Sequence, residues 1–336
     1  MGSRAMTLPD GVTLLATVCN TTPNAVPYAL WMARGAEQYL VDLSDVLGKS
    51  GDGGLTGLAR VGDRIYAAVQ SNNPRILVLD HQLTPKGAIT SPEFKDIHSI
   101  HCSRDGLIVC ATGAQSVLRV DVTDSTTARL CEFDANVHLN CACFDASDLL
   151  VCCHYPERVL RGVDGAGGGV INATTRQMVL AGLTQPHSLE PDGAAFLVLD
   201  SDGHRLIRFD HSGILQQQAL TGFLRGMATA RGSLFVASSA GRVISRKNPA
   251  APPGQQFWQN VAEPVVIHEL DHATLARKAA HVPLLAGFEL YELLAFDDTD
   301  GLMPNPERLL VPDLNAIARV YYEAAKRALA QVPRQT

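Results

Sequence analysis

Short apolar runs alternate with polar, turn-forming clusters along almost the whole chain. Six segments carry the pattern most clearly: LTGLARVGDRIYAAV, IHSIHCSRDGLIVCA, VHLNCACFDASDLLVCC, PHSLEPDGAAFLVLD, LRGMATARGSLFVAS and FELYELLAF. Most of them run from an apolar strand through a turn into a second strand. Asp192-Gly193 and Arg104 to Gly106 are such turns, and Ser201 to Gly203 leads into the next strand, HRLIRFD. Gly, Asp and Asn punctuate every eight to ten residues. A helix does not tolerate that spacing, and hairpins require it.

Thr56, His98, His138, His187, Arg225 and Glu289 open the six segments, with steps of 42, 40, 49, 38 and 64 residues. Strand-rich units recurring at roughly 40 to 50 residues indicate a β-propeller. The expected fold is therefore all-β, a six-bladed β-propeller. The innermost strand of each blade lines the central channel, so a column at the strand starts becomes a ring in space. The last segment has no outer strands after it, and the N-terminal runs VTLLATVCN, YALWMA and QYLVDL have no inner strand before them. The N-terminal strands are expected to close the last blade and remove the exposed edges. This places the propeller over 7–302 and a C-terminal helical tail over 303–336, with NAIARVYYEAAKRALAQ (Asn315 to Gln331) as a helix packed on the propeller.

With 336 residues, 46% of them hydrophobic and 18% charged, the chain can bury a large core. The net charge of −6 and the lack of a basic stripe argue against nucleic acid. The apolar runs are too short to span a bilayer, and the opening residues lack a secretory leader pattern, so no membrane is expected. Eight cysteines include no CxxC pair, and most lie inside strand patterns. They read as small buried hydrophobes of a reduced, cytoplasmic protein.

The ring column carries the candidate chemistry. Imidazole suits zinc, and a catalytic zinc keeps three protein ligands and one open position. His98, His138 and His187 are the candidate ligands of a divalent transition metal, with zinc first and iron or copper as alternatives. Arg225 is placed to bind a carboxylate-bearing small molecule, or to pair with Glu289. Asn140, two residues beyond His138 on the same face, and Thr56 are further candidate substrate contacts. Glu289 is a candidate general base or fourth ligand, and Tyr291 a candidate acid or oxyanion donor. Metal-free acid/base histidines and a hydrated structural ring remain alternatives. Strand alternation turns His101 away from the channel. His268, Glu269 and His272 match the zincin spacing, but VVIHELD reads as a strand, where that motif does not work. His81, His154, His204, His211 and His281 are assigned to surface turns or outer strands. The DDTDG run at Asp297 to Gly301 lacks the spaced ligands of a calcium loop.

The stretch PHSLEPDGAAFLVLDSDGHRLIRFD resembles an NHL-type propeller repeat. VHLN, GGGVI, GLTQPHS, TGFLRGMA and GFELYEL extend the likeness to a bacterial group, the DUF4915 propeller family, over roughly half of the chain. That resemblance implies a propeller and supplies no settled reaction. The site is locally similar to the peptidyl-hydroxyglycine amidating lyases, six-bladed NHL-like propellers that bind zinc through histidines in PH-G/S/D contexts. PHS at His187 matches that context, with IHS at His98 and VHL at His138 as looser counterparts, although these histidines fall on adjacent blades. The expectation is a metal-dependent lyase, hydrolase or isomerase acting on a small anionic metabolite. The alternatives are a non-catalytic peptide- or protein-binding propeller, and a metal-free cyclase or hydrolase like the strictosidine-synthase relatives, with Glu289 as base.

Overall fold

The computed structural model describes residues 6–21, 24–48, 51–104, 106–146, 148–160, 167–239, 265–285, 289–315 and 317. Their strands pair into six antiparallel four-stranded units. Unit I comprises Asp52–Val61, Arg64–Ser71, Arg75–Asp80 and Pro85–Ile89. Unit II comprises Ile97–Ser103, Gly106–Ala111, Ser116–Val120 and Thr127–Glu132. Unit III comprises Leu139–Asp145, Asp148–Cys153, Gly168–Asn172 and Gln177–Leu183. Unit IV comprises His187–Asp192, Ala195–Asp200, Arg205–Asp210 and Gly213–Ala219, and unit V Phe223–Ala230, Ser233–Ser239, Val266–Asp271 and Arg277–His281.

Unit VI joins the two ends of the chain. Its inner strand Glu289–Asp297 pairs antiparallel with Val12–Cys19, from Val12 opposite Asp297 to Cys19 opposite Glu289. Leu30–Arg34 and Glu37–Val41 follow outward, and the short strand Leu309–Leu310 adds to the outer edge. The N-terminal strands thus close the last unit, as the incomplete sequence segments require. A single bridge between Cys19 and Gly54 links units VI and I into one continuous sheet. Nearly all of the expected C-terminal helix, from residue 318 on, lies outside the described residues.

The second strand of each unit explains its own composition. Its residues alternate sides, but both sides are buried, so the middle of the run is largely apolar. In Gly106–Ala111, Leu107, Val109 and Ala111 pack with unit I, while Ile108 and Cys110 pack with unit III. In Ala195–Asp200, Phe196 and Val198 face unit III and Leu197 and Leu199 face unit V. Six apolar clusters therefore lie between successive units, and the cluster of Val12, Leu14 and Trp31 with Phe235 and Ile267 joins units V and VI. The outer strand Gly213–Ala219, by contrast, is largely exposed, with three glutamines in succession.

Near their beginnings the inner strands break register with their neighbours. The breaks fall at Leu55/Leu58, Ile97/Ser99, Leu139/Cys141, His187/Leu189 and Leu224/Met227, and in unit VI between Ala16 and Val18 of the paired strand. A bulge leaves a residue unpaired and re-aims its side chain. The bulged residues include Thr56, His98, Asn140, Ser188 and Arg225, with Tyr291 at the matching place in unit VI. The true structural column therefore shifts from His138 to Asn140, from His187 to Ser188 and from Glu289 to Tyr291. Gly57 and Gly226 occupy the bulges of units I and V, where backbones come closest. A Cβ on Gly57 would stand 2.4 Å from the Ile100 amide nitrogen, and one on Gly226 2.6 Å from the Glu292 Cα. Gly57→Ala is expected to destabilise the fold by about 1–3 kcal/mol through overpacking against rigid backbone. Gly62→Ala, with nothing within 4 Å but a φ of +59°, tests strain without collision. Urea denaturation of both variants separates the two effects.

Candidate functional site

Four imidazoles gather where the inner strands begin. His98 and His138 ring centroids are 5.1 Å apart, His138 stacks on His154 at 4.2 Å, and His154 meets His187 edge-on at 5.6 Å. Tyr291 closes the group, 6.1 Å from His98 and 6.3 Å from His187. Asn20, Asp96, His138, Gln185 and Ser188, all at this end, have left-handed backbone with φ between 45° and 52°. Such conformations in non-glycine residues persist only where surrounding structure holds them, and they concentrate at functional sites.

Asn140 organises three of the neighbours. Its Oδ1 accepts from His98 Nδ1 at 3.0 Å, and its Nδ2 donates to the Pro186 carbonyl at 2.7 Å and to His154 Nε2. This pattern protonates His98 on Nδ1 and leaves His154 Nε2 as an acceptor. His187 is held in the same way. Nδ1 donates to the Gln185 carbonyl at 2.9 Å, with the Ser201 hydroxyl also at 2.9 Å, and Nε2 accepts from Arg225 Nη1 at 2.8 Å. Burial drives the pKa values of His154 and His187 well below the ordinary imidazole range. His138, His98 and the Arg225 charge add to the effect at His154, and Arg225, His154 and His98 at His187. Both rings are neutral bases at neutral pH.

Arg225 is 6% exposed and Glu289 is fully buried. Arg225 Nη2 lies 3.4 Å from Glu289 Oε2, which also accepts from Asn20 Nδ2 at 2.9 Å and lies 3.5 Å from Cys19 Sγ. Asn20 is fixed by Gln70, with reciprocal bonds of 2.9 and 3.0 Å. The guanidinium also stands 4.6 Å from the Phe223 ring and 5.0 Å from the Tyr291 ring. Its buried Nε has no hydrogen-bond partner among the described residues. A buried donor left open in this way calls for an explanation, and a ligand acceptor is one.

The structure thus brings His98, His138, His187, Asn140, Arg225, Glu289 and Tyr291 together, but not all in the expected roles. Thr56 is 3% exposed and donates to the Ile97 carbonyl at 2.8 Å, so it ties units I and II together rather than facing a ligand. Among the described residues, no group of three His, Cys, Asp or Glu side chains is arranged to hold a metal ion. The physical reason is local: both ring nitrogens of His187 are already engaged, one of them by a guanidinium. As placed, the donor set does not fit a three-histidine metal centre.

Three histidines lie elsewhere than expected. His154 belongs to the cluster and not to the surface. It follows the second strand of unit III, which antiparallel pairing carries back beside His138. Gln70, Thr112, His154 and Ser201 occupy this place in units I to IV at steps of 42, 42 and 47 residues, a second polar column legible in the sequence. His281 is 5% exposed and lies 3.1 Å from Glu269. His101 lines the channel, because the bulge at His98 shifts the alternation by one residue. His268 lies within the strand Val266–Asp271 with Nε2 2.9 Å from the Thr221 carbonyl, so HELDH is no zincin helix.

Solved structures with this architecture identify the class. The chain is similar to one in a nidogen/laminin complex, with a TM-score of 0.56 and 12% identity over 86% of this chain and 99% of that one. It is similar also to a protein of unknown function from Bacteroides caccae, with a TM-score of 0.55 and 12% identity over 85% and 99% of the two chains. These likenesses, with the six paired units, establish a β-propeller fold. At such identity they show the fold alone. No family model matches the chain and no curated protein does. Among the described residues, no helix is long and apolar enough to cross a membrane.

Proposed function

We propose that the histidine-lined mouth of the propeller binds a small carboxylate-bearing metabolite and moves a proton on it, as a lyase, hydrolase or isomerase would. Arg225 carries this reading. It is a buried guanidinium flanked by two aromatic rings, with an open Nε and neutral imidazoles beside it. A carboxylate would take Nε and one terminal nitrogen in a bidentate contact and displace Glu289 as counter-ion. His98, whose bond to Asn140 leaves Nε2 as the lone-pair nitrogen, is placed to act as the base, and Tyr291, facing both His98 and His187, supplies an acid. Glu289, enclosed by Arg225, Asn20 and Cys19, is better suited to balance charge than to abstract a proton. A metal-dependent version needs His187 to leave Arg225; about one metal per chain, lost in the His98/His138/His187→Ala variant, would favour it.

A panel of small carboxylates and their matching amides, titrated calorimetrically, tests the reading. Carboxylates are expected to bind, and Arg225→Lys to weaken them about ten-fold or more, because a lysine cannot make the forked contact. Tyr291→Phe is expected to retain binding while slowing any turnover by about 10²–10⁴-fold. Equal affinity for acids and amides would overturn the carboxylate assignment. Tight carboxylate binding without turnover of any member would shift the reading to a binding propeller.

A further inference from the structure

At the opposite mouth, where the inner strands end, a cavity of about 350 Å³ opens between them. That size lies within the range of small-molecule sites, roughly 300–1,000 Å³. Its wall combines Leu58, Met227 and Leu294 with the ionisable groups Arg60, His101, Cys102, Glu190, His272 and Glu292. None of the residues proposed above to contact the carboxylate lines it.

The basic groups of this wall have acidic partners. His101 Nδ1 lies 3.3 Å from Glu190, Arg60 2.7 Å from Asp300, and His272 3.2 Å from Asp192, which Arg208 also binds at 2.6 Å. The Glu190 charge raises the His101 pKa, which favours a charged pair there. Glu292 differs. It is 9% exposed and accepts from the Ser188 hydroxyl at 3.4 Å, the Leu293 amide at 3.3 Å and the Met227 amide. Among the described residues no cation faces it. Burial first, and the nearby Glu190 charge second, hold its carboxyl well above the usual carboxylate range. A buried carboxyl with no cation beside it keeps its proton until an opposite charge arrives.

We propose that this cavity binds a small molecule with one ammonium group on an apolar body, with the Glu292 carboxylate as its counter-ion. The ammonium is the one charge the wall lacks, and the aliphatic side chains receive the apolar body. On binding, Glu292 gives its proton to solvent and the ligand keeps its own. Affinity therefore rises with pH until Glu292 is ionised in the free protein.

Calorimetry on the full chain with cyclohexylamine, and with cyclohexanol as its neutral isostere, is the test. The amine is expected to bind about ten-fold tighter or more than the alcohol, since a hydrogen bond to a charged group is at stake. In buffers of different ionisation enthalpy it should release about one proton per amine bound below the Glu292 pKa. Glu292→Gln should abolish the amine preference, while Arg225→Lys leaves it intact. Equal binding of amine and alcohol, no amine binding, or an unchanged amine affinity in Glu292→Gln would each overturn the proposal. If Glu292→Gln does not fold, the wild-type pH dependence decides. A rising amine affinity with a flat alcohol affinity supports the assignment, and a flat amine affinity refutes it.

Discussion

Arg225→Met is expected to destabilise the protein by about 3–5 kcal/mol, the cost of leaving one member of a buried ion pair without its partner. The Glu289 carboxylate would remain fully buried and lose its contact with the Arg225 guanidinium. His187 would lose the donor on Nε2 as well. The double variant Arg225→Met/Glu289→Gln should recover most of the loss, because it replaces the stranded charge with a neutral amide of similar shape. Chemical denaturation of the two single variants and the double variant gives the coupling directly. Additive losses would show that the 3.4 Å contact is not a working ion pair. Recovery of stability without recovery of carboxylate binding would separate the structural role of the pair from the ligand role of the arginine.

Acidification should unfold the protein through its buried imidazoles. His154, His187 and His268 all have pKa values lowered chiefly by burial, so the folded state holds them neutral while the unfolded chain protonates them near pH 6.5. The unfolded state then binds more protons, and stability is lost as pH falls below about 6.5 toward the folded pKa values. Each such histidine contributes a slope of about 1.4 kcal/mol per pH unit in that window. Glu292 opposes them, since its raised pKa makes the folded state bind the extra proton above the ordinary carboxylate value. Three imidazoles outweigh one carboxyl, so the net slope still favours unfolding in acid. His101, raised by Glu190, acts only above about pH 6.5 and leaves this window unchanged. His154→Gln should flatten the dependence by about one proton. An unaltered slope would mean that His154 titrates normally in the native protein.

Much of the architecture is legible in the chain because propeller units are built from nearest neighbours. Second strands buried on both faces read as unbroken apolar runs, and incomplete units at the two ends announce the closure of Glu289–Asp297 against Val12–Cys19. The ring column brings its side chains to one end of the inner strands for the same reason. It assigned detailed roles less well because strict alternation fails at a bulge. The irregularity between Ile97 and Ser99 turns His101 into the channel, and the one between Leu139 and Cys141 makes Asn140 the organiser of the imidazoles. His154 was hidden for a different reason. Its proximity to His138 comes from antiparallel return of the second strand, so it follows a separate column. His281 was hidden by a cross-strand pair with Glu269, which allows a histidine on an outer strand to be buried.

The central claim is that the histidine cluster with Arg225 is a binding site for carboxylates. Histidine-selective NMR of the wild-type protein, recorded with a mixture of small carboxylates and with the matching amides, tests it most directly. Carboxylates, and not amides, are expected to shift the imidazole signals of His98, His138, His154 and His187 while His211 at the surface stays unmoved, and Arg225→Lys is expected to weaken the response. Shifts spread evenly over all histidines, or a cluster indifferent to both mixtures, would contradict it.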